Sequence, residues 1–161
     1  MTNLPHLEYR EKQHYVAIRS NVSMENLAKM ADKFGEVFSW LNGKGLKPAG
    51  APFYRYAAFE EGEMIDLEVG VPVMGLVEGG KQILAGFFPA GQYAVLIHTG
   101  SYDGLQHATA TLLKWAEENG ITFQTSGNGK VWRARTENYL IDPTMEPNPK
   151  KWQTELAILI V

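Results

Sequence analysis

The amino-acid sequence predicts an α+β fold: a tandem, pseudo-twofold repeat of strand-helix-strand-strand joined into one antiparallel sheet. Three observations predict it. Two segments carry apolar residues at a 3.6-residue period, and each follows one strand-like run and precedes two more. Matching positions recur at a constant offset of 78 residues: Tyr15 and Tyr93, Ser23 and Ser101, Leu27 and Leu105, Tyr54 and Trp132. The chain has 161 residues, 45% hydrophobic and 20% charged, which suits a single folded domain with a substantial core. Residues 1–161 are therefore read as one domain with internal halves of about 1–78 and 79–161.

Each element has a local reason. His14–Arg19 is a strand-like run that leads into the first helix, expected over about Met24 to Asn42. In that helix Leu27, Met30, Phe34, Val37, Phe38 and Leu41 face inward, Ser23 is placed to cap the start, Glu25 complements the first turn, and Gly43 follows the end. Pro52–Ala58 and Met64–Val73 are the two extended runs that complete the first half. Lys81–Phe88 is a linking strand and Gln92–Thr99 opens the second half. The second helix is expected over about Tyr102 to Asn119, with Leu105, Ala108, Leu112, Trp115 and Ala116 inward, Ser101 as cap and Gly120 beyond the end. Lys130–Ile141 and Trp152–Val161 are its two following strands. Gly127-Asn128-Gly129 is a hairpin turn, because Gly and Asn tolerate positive φ. The proline-rich piece Asp142–Pro149 is a surface loop.

Composition excludes several function classes. The net charge is −3, from 15 basic and 18 acidic residues, so no basic excess grips a phosphate backbone and direct nucleic-acid binding is not expected. The chain lacks cysteine, which removes disulfides, thiolate metal sites and a thiol nucleophile. The charged N-terminal stretch, broken by Pro5, is not a signal peptide, and no apolar run is long enough to span a bilayer. A cytoplasmic location without membrane contact is expected. His6, His14, His98 and His107 lack the spacing of a helical metal site. Neither a phosphate-binding glycine loop nor a Gly-x-Ser-x-Gly elbow occurs, so no cofactor and no metal are expected.

Strand parity points to candidate site residues. Thr154, Leu156, Ile158 and Ile160 share one face of the last strand, and Glu155, Ala157 and Leu159 share the other. The aliphatic set is expected to pack on the helix, which sends Glu155 to the opposite face. By the same logic Leu67, Val69, Val71 and Val73 face the helix and leave Glu68 opposite, as the counterpart of Glu155. Both helices are expected on one face of the sheet, with a ligand groove on the other. Tyr54, Tyr56, Trp132 and Tyr139 are candidate walls, although strand aromatics are also ordinary packing residues. Glu137 lies two residues before Tyr139 and shares its face. A carboxylate among aromatic rings attracts a large, flat, poorly hydrated cation.

Several motifs together carry a resemblance to a known family. They are Gly70-Val71-Pro72-Val73, Phe88-Pro89-Ala90-Gly91-Gln92-Tyr93, His98-Thr99-Gly100-Ser101-Tyr102, Glu137-Asn138-Tyr139-Leu140-Ile141-Asp142-Pro143 and Trp152-Gln153-Thr154-Glu155-Leu156. In order and spacing they resemble the GyrI-like small-molecule-binding domains, which also serve as effector-binding halves of AraC-type and MerR-type multidrug regulators. The resemblance spans essentially the whole chain. It implies a groove between two halves in which an acid among aromatics takes lipophilic, often cationic compounds. By motif match that acid is Glu155, with Glu137 and Tyr139 as a secondary acidic and aromatic pair. Leu159 stands where the family commonly has proline. The regulators' helix-turn-helix domain has no room here, so a stand-alone binder of hydrophobic or cationic small molecules is expected. Two alternatives stay open. Some members hydrolyse strained, cyclopropane-bearing compounds, and Glu155 would then be the general base. Others are named for gyrase inhibition, which implies a protein-interaction module. The natural ligand and the oligomeric state are left open by the sequence.

Overall fold

The computed structural model describes residues 3–161, and among them ten strands form one mostly antiparallel, curled sheet with two α-helices. The strands are β1 (His6–Arg10), β2 (Gln13–Ser23), β3 (Phe53–Glu60), β4 (Met64–Pro72), β5 (Leu84–Phe88), β6 (Gly91–Thr99), β7 (Thr125–Ser126), β8 (Val131–Trp132), β9 (Arg135–Tyr139) and β10 (Gln153–Leu159). The helices are α1 (Lys33–Gly43) and α2 (Leu105–Glu118). Across the sheet the order is β1-β6-β10-β9-β3-β4-β2-β5, with β7 and β8 paired beside β3.

The central seam is β3 against β9, where Tyr54 lies opposite Glu137 and Arg55 opposite Thr136. On either side of it, β3 continues through β4 to β2, and β9 through β10 to β6. The outer strands are exchanged: β1 pairs with β6, while β5 pairs with β2. Two apolar clusters anchor the helices. Val37 and Leu41 of α1 pack with Val16, Ile18, Val71 and Val73. Leu105, Ala108 and Leu112 of α2 pack with Ala94, Leu96, Leu156 and Ile158. Period-2 strand parity and period-3.6 helix spacing therefore meet as the apolar pattern requires. On the other side of the sheet Tyr15, Ala17 and Phe53 form one cluster, and Tyr93, Val95, Ala134, Ala157 and Leu159 form another. Phe88 packs against both.

Several local expectations need correction. The first helix is α-helical only from Lys33; Met24–Asn26 and Ala28–Asp32 are 3-10 turns. A tertiary bond competes there: the Leu27 carbonyl accepts from the Tyr54 hydroxyl at 3.0 Å and from the Met30 amide at 3.1 Å. The amide bond spans three residues, which is the 3-10 pattern. Ser101 makes no side-chain cap; Tyr102–Gly104 form a 3-10 turn, and α2 begins at Leu105. Ser23 likewise bonds the Asn26 side chain, at 3.1 Å, rather than a backbone amide. Lys130–Ile141 is not one strand but β8 and β9, and β1 and β7 add to the expected set. The Gly127-Asn128-Gly129 turn is present, with φ of 59°, 60° and 81°.

Candidate functional site

A cavity of about 1320 Å³ lies between the two helices, above the central strands. The helical side contributes Leu27, Phe34, Phe38, Leu105, Thr109 and Leu112. The strand side contributes Tyr54, Tyr56 and Phe59 from β3, Arg135, Glu137 and Tyr139 from β9, and Leu156 and Ile158 from β10. The expected groove position is thereby corrected. The large cavity is bounded by the helices and does not lie on the sheet side that carries Glu68 and Glu155. The reason is curl: on that other side the two halves bring their own rings together through Phe88, which stacks on Tyr15 at 4.5 Å and meets Phe53 edge-on at 5.1 Å. Those rings fill much of the space.

Backbone register sets which residues reach the cavity. On β9 the alternate residues Arg135, Glu137 and Tyr139 share one side. On β3 the alternation breaks: Tyr56 pairs with Leu67 but Ala58 with Asp66, so Ala57 is an extra residue at a β-bulge. The bulge shifts parity by one, and Phe59 joins Tyr54 and Tyr56 on the cavity side. Phe59 stacks on Tyr56 with ring centroids 5.8 Å apart and planes 6° apart. Tyr54 stacks on Phe34 at 5.6 Å and meets Tyr139 edge-on at 5.5 Å.

Glu137 sits at the floor of this aromatic enclosure. Its carboxylate accepts a hydrogen bond from the Tyr139 hydroxyl at 2.7 Å, and Tyr56 interacts with it from β3. None of the ion pairs among the described residues includes Glu137. Burial pushes its carboxyl above the ordinary value of 4.5, and the hydroxyls of Tyr139 and Tyr56 and the charge of Arg135 oppose that rise only in part. The same burial, with the adjacent carboxylate, holds Tyr56 and Tyr139 well above the ordinary tyrosine value. The result is a desolvated acid ringed by π faces, in no ion pair among the described residues, with Arg135 the cation that acts on it from along β9.

The other expected site residues are placed elsewhere. Trp132 is next to the cavity, packed against the α2 cluster and under the Arg135 guanidinium at 4.4 Å. Glu155 lies across the sheet in a smaller hollow of about 450 Å³. There it is paired with Arg10 Nη1 at 3.0 Å and accepts from Asn138 Nδ2 at 3.0 Å. Glu68 is 2% exposed, bonded by the Tyr15 hydroxyl and by Arg55 Nη1 at 2.9 Å, with Arg19 Nη1 at 3.4 Å. Glu155 lines the smaller hollow, and neither glutamate is among the residues that line the large cavity. Tyr54, Tyr56, Glu137 and Tyr139 are brought together. Sequence reasoning did not single out Phe59 or Arg135 for the site. Phe59 reaches the cavity only through the bulge, but Arg135 shares the parity of Glu137 and was legible on that ground.

Among the described residues no group of three or more histidine, aspartate or glutamate side chains is arranged to hold a metal, and no helix is long and apolar enough to cross a membrane. The sequence model of the GyrI-like small molecule binding domain matches residues 5–161. The crystal structure of the EcmrR C-terminal domain superposes with a TM-score of 0.80 at 21% identity, covering 98% of this chain and 97% of that one. In the cryo-EM structure of the EcmrR–DNA complex the chain matches 57% of the EcmrR chain, with the same TM-score of 0.80. SAV2435 bound to tetraphenylphosphonium is similar at a TM-score of 0.65 and 12% identity, over 99% of this chain and 94% of that one. A hydrolase from Listeria innocua is similar at 0.62 and 12% identity, over 98% and 91%. At these identities the likeness is one of fold. Comparison with curated proteins found no match.

Proposed function

The chain belongs to the GyrI-like small-molecule-binding family, and on that premise we propose that it takes bulky lipophilic cations in the cavity between α1 and α2. The observation that carries the reading is Glu137: a buried carboxylate without an ion pair, walled by Tyr54, Tyr56, Phe59 and Tyr139. A buried charge lacking a partner is costly, and a poorly hydrated cation relieves that cost while gaining π contacts of about 0.5–2 kcal/mol each. Glu155 and Glu68 already have ion-pair partners, which supports Glu137 over them as the ligand's charge partner. SAV2435, with its tetraphenylphosphonium, supports the ligand class. The cavity lies where the two halves of the chain meet. We read those halves as tandem copies, because β2-β4-β3 and β6-β10-β9 follow the same internal order about the β3–β9 seam. Calorimetric titration with tetraphenylphosphonium tests the function. Binding of one cation per chain is expected, and Glu137→Gln is expected to weaken it roughly tenfold to a hundredfold, the range of a hydrogen-bonded or paired charge. Unchanged affinity in Glu137→Gln would remove Glu137 from the reading.

A second reading is favoured by the likeness to the Listeria innocua hydrolase. In it Glu137 takes a proton from water as the water oxygen bonds to a cyclopropane carbon, the strained ring C–C bond breaks with its electron pair moving onto the ligand's conjugated carbonyl oxygen, and a tyrosine hydroxyl donates a hydrogen bond to that developing oxyanion, which then takes up a proton. Turnover of a cyclopropane-bearing compound, lost in Glu137→Gln, supports hydrolysis. Stoichiometric binding without product supports the binder.

A further inference from the structure

The cavity contains a cation in no ion pair among the described residues, Arg135, as well as an acid, Glu137, and the two attract each other along β9. Arg10, Arg19 and Arg55 each pair with a carboxylate. Arg135 does not: its guanidinium is in no ion pair or side-chain hydrogen bond among the described residues, and what holds it is three rings. Its central carbon lies 4.4 Å from the Trp132 ring centroid, 4.8 Å from Phe59 and 6.0 Å from Tyr56. A guanidinium carries five N–H donors and no acceptor, so this one is left with donors to satisfy. It lines the cavity, and its nitrogens are not among the fully enclosed, unpartnered atoms, which are Arg55 Nε and Thr154 Oγ1. The donors therefore face the space that a ligand occupies. Burial also lowers the Arg135 pKa, the direction expected of a cation that lacks a close acceptor.

Arg135 and Glu137 are separated by one residue on β9, so their side chains rise from the same side of the strand roughly 7 Å apart. We propose that the preferred ligands are zwitterions: flat aromatic cations that also carry a carboxylate, with the cationic end at Glu137 and the carboxylate at Arg135. The Trp132 and Phe59 rings hold the guanidinium carbon 4.4 and 4.8 Å from their centroids, and its planar fork of donors suits a bidentate carboxylate. This rests on the reading of the Glu137 cavity as the ligand site. It adds a second pole and a geometric requirement that a simple lipophilic cation does not meet.

Rhodamine 110 and rhodamine 123 test it, since they share one xanthylium cation and differ in a free carboxylate against its methyl ester. Fluorescence anisotropy with the full chain is expected to show the carboxylate dye bound roughly tenfold tighter or more, the scale of a charge-assisted hydrogen bond. Arg135→Gln is expected to erase that preference while still binding the ester, and Arg135→Lys to retain part of it. Equal or weaker binding of the carboxylate dye to the wild-type chain overturns the proposal, and needs no variant to fold. So does a preference that persists in Arg135→Gln. If the ester binds and depends on Glu137 while the preference is absent, the cavity reading stands and the zwitterion inference falls. If neither dye binds, both fall.

Discussion

Glu137 shows how one side chain's surroundings set its chemistry. A strand glutamate on a solvated face titrates like any carboxyl, but burial under four aromatic rings raises this one above 4.5. In the empty protein the folded chain therefore holds this proton more tightly than the unfolded chain. Its contribution to stability falls as pH rises from the ordinary carboxylate value through the raised one, and above that it is a net cost. A bound cation reverses the preference by favouring the charged form. Affinity for tetraphenylphosphonium is accordingly expected to drop as pH falls below the raised value, with protons released on binding inside that window. Arg135, Tyr54, Tyr56, Tyr102 and Tyr139 are the other charged or titratable groups that act on this carboxyl. Calorimetry in buffers of different ionisation enthalpy measures the release, and Glu137→Gln is expected to abolish it. A further expected result is that Glu137→Gln has a higher Tm than the wild type at neutral pH, because it removes a buried charge without an ion pair.

At the scale of elements, the β3 bulge and the close contacts of β4 decide which rings surround the ligand. Phe53 and Tyr54 project to opposite sides of β3, so one strand supplies both the packed side and the cavity. Gly70 on β4 makes the first possible: a Cβ there would stand 2.5 Å from Phe53 Cζ and 2.8 Å from the Val16 carbonyl oxygen. Gly70→Ala is therefore expected to destabilise the protein by about 1–3 kcal/mol, read from denaturant unfolding. Because β4 and β3 are paired over seven residue pairs, the displacement is also expected to weaken cation binding through Tyr54 and Tyr56. Periodicity foretold both strands. It did not foretell the bulge, since Ala57 has no turn signature and Phe59 reads as an outward residue by simple alternation. The 3-10 path of Met24–Asp32 was similarly hidden, because the Tyr54 hydroxyl that takes the Leu27 carbonyl is a tertiary partner.

Across the whole molecule the sheet separates two acidic environments. One is the Glu137 cavity, and the other holds Glu68 and Glu155 among Arg10, Arg19 and Arg55. Glu155→Gln is expected to leave tetraphenylphosphonium affinity within about twofold of wild type, since the paired Arg10 and Asn138 lie across the sheet from the cavity. An equal loss in Glu155→Gln and Glu137→Gln would show that the two sides are coupled. Saturating ligand at 100 times its Kd is expected to stabilise the wild-type chain by roughly 2.7 kcal/mol, visible as a rise in Tm. The exchanged outer strands bear on the same point. β1 belongs in sequence to the first half but carries Arg10 to the Glu155 of the second, so the hollow on that side is closed by long-range pairing.

The sequence by itself determined the α+β class, the two amphipathic helices and the main strands. Those follow from side-chain period and turn chemistry, which are local. The motif resemblance brought the family, which the match over residues 5–161 shows. Only the tertiary structure decided which side of the sheet is hollow. The sequence placed Glu137 and Glu155 in one groove; the β9–β10 register sets Glu137 opposite Leu156 and so puts the two acids on opposite sides, and the curl of the sheet fills the Glu155 side with Tyr15, Phe53 and Phe88. It also decided that Arg10 reaches Glu155, because that contact joins residues far apart in the chain, while Glu137 accepts from its strand neighbour Tyr139 and is in no ion pair among the described residues.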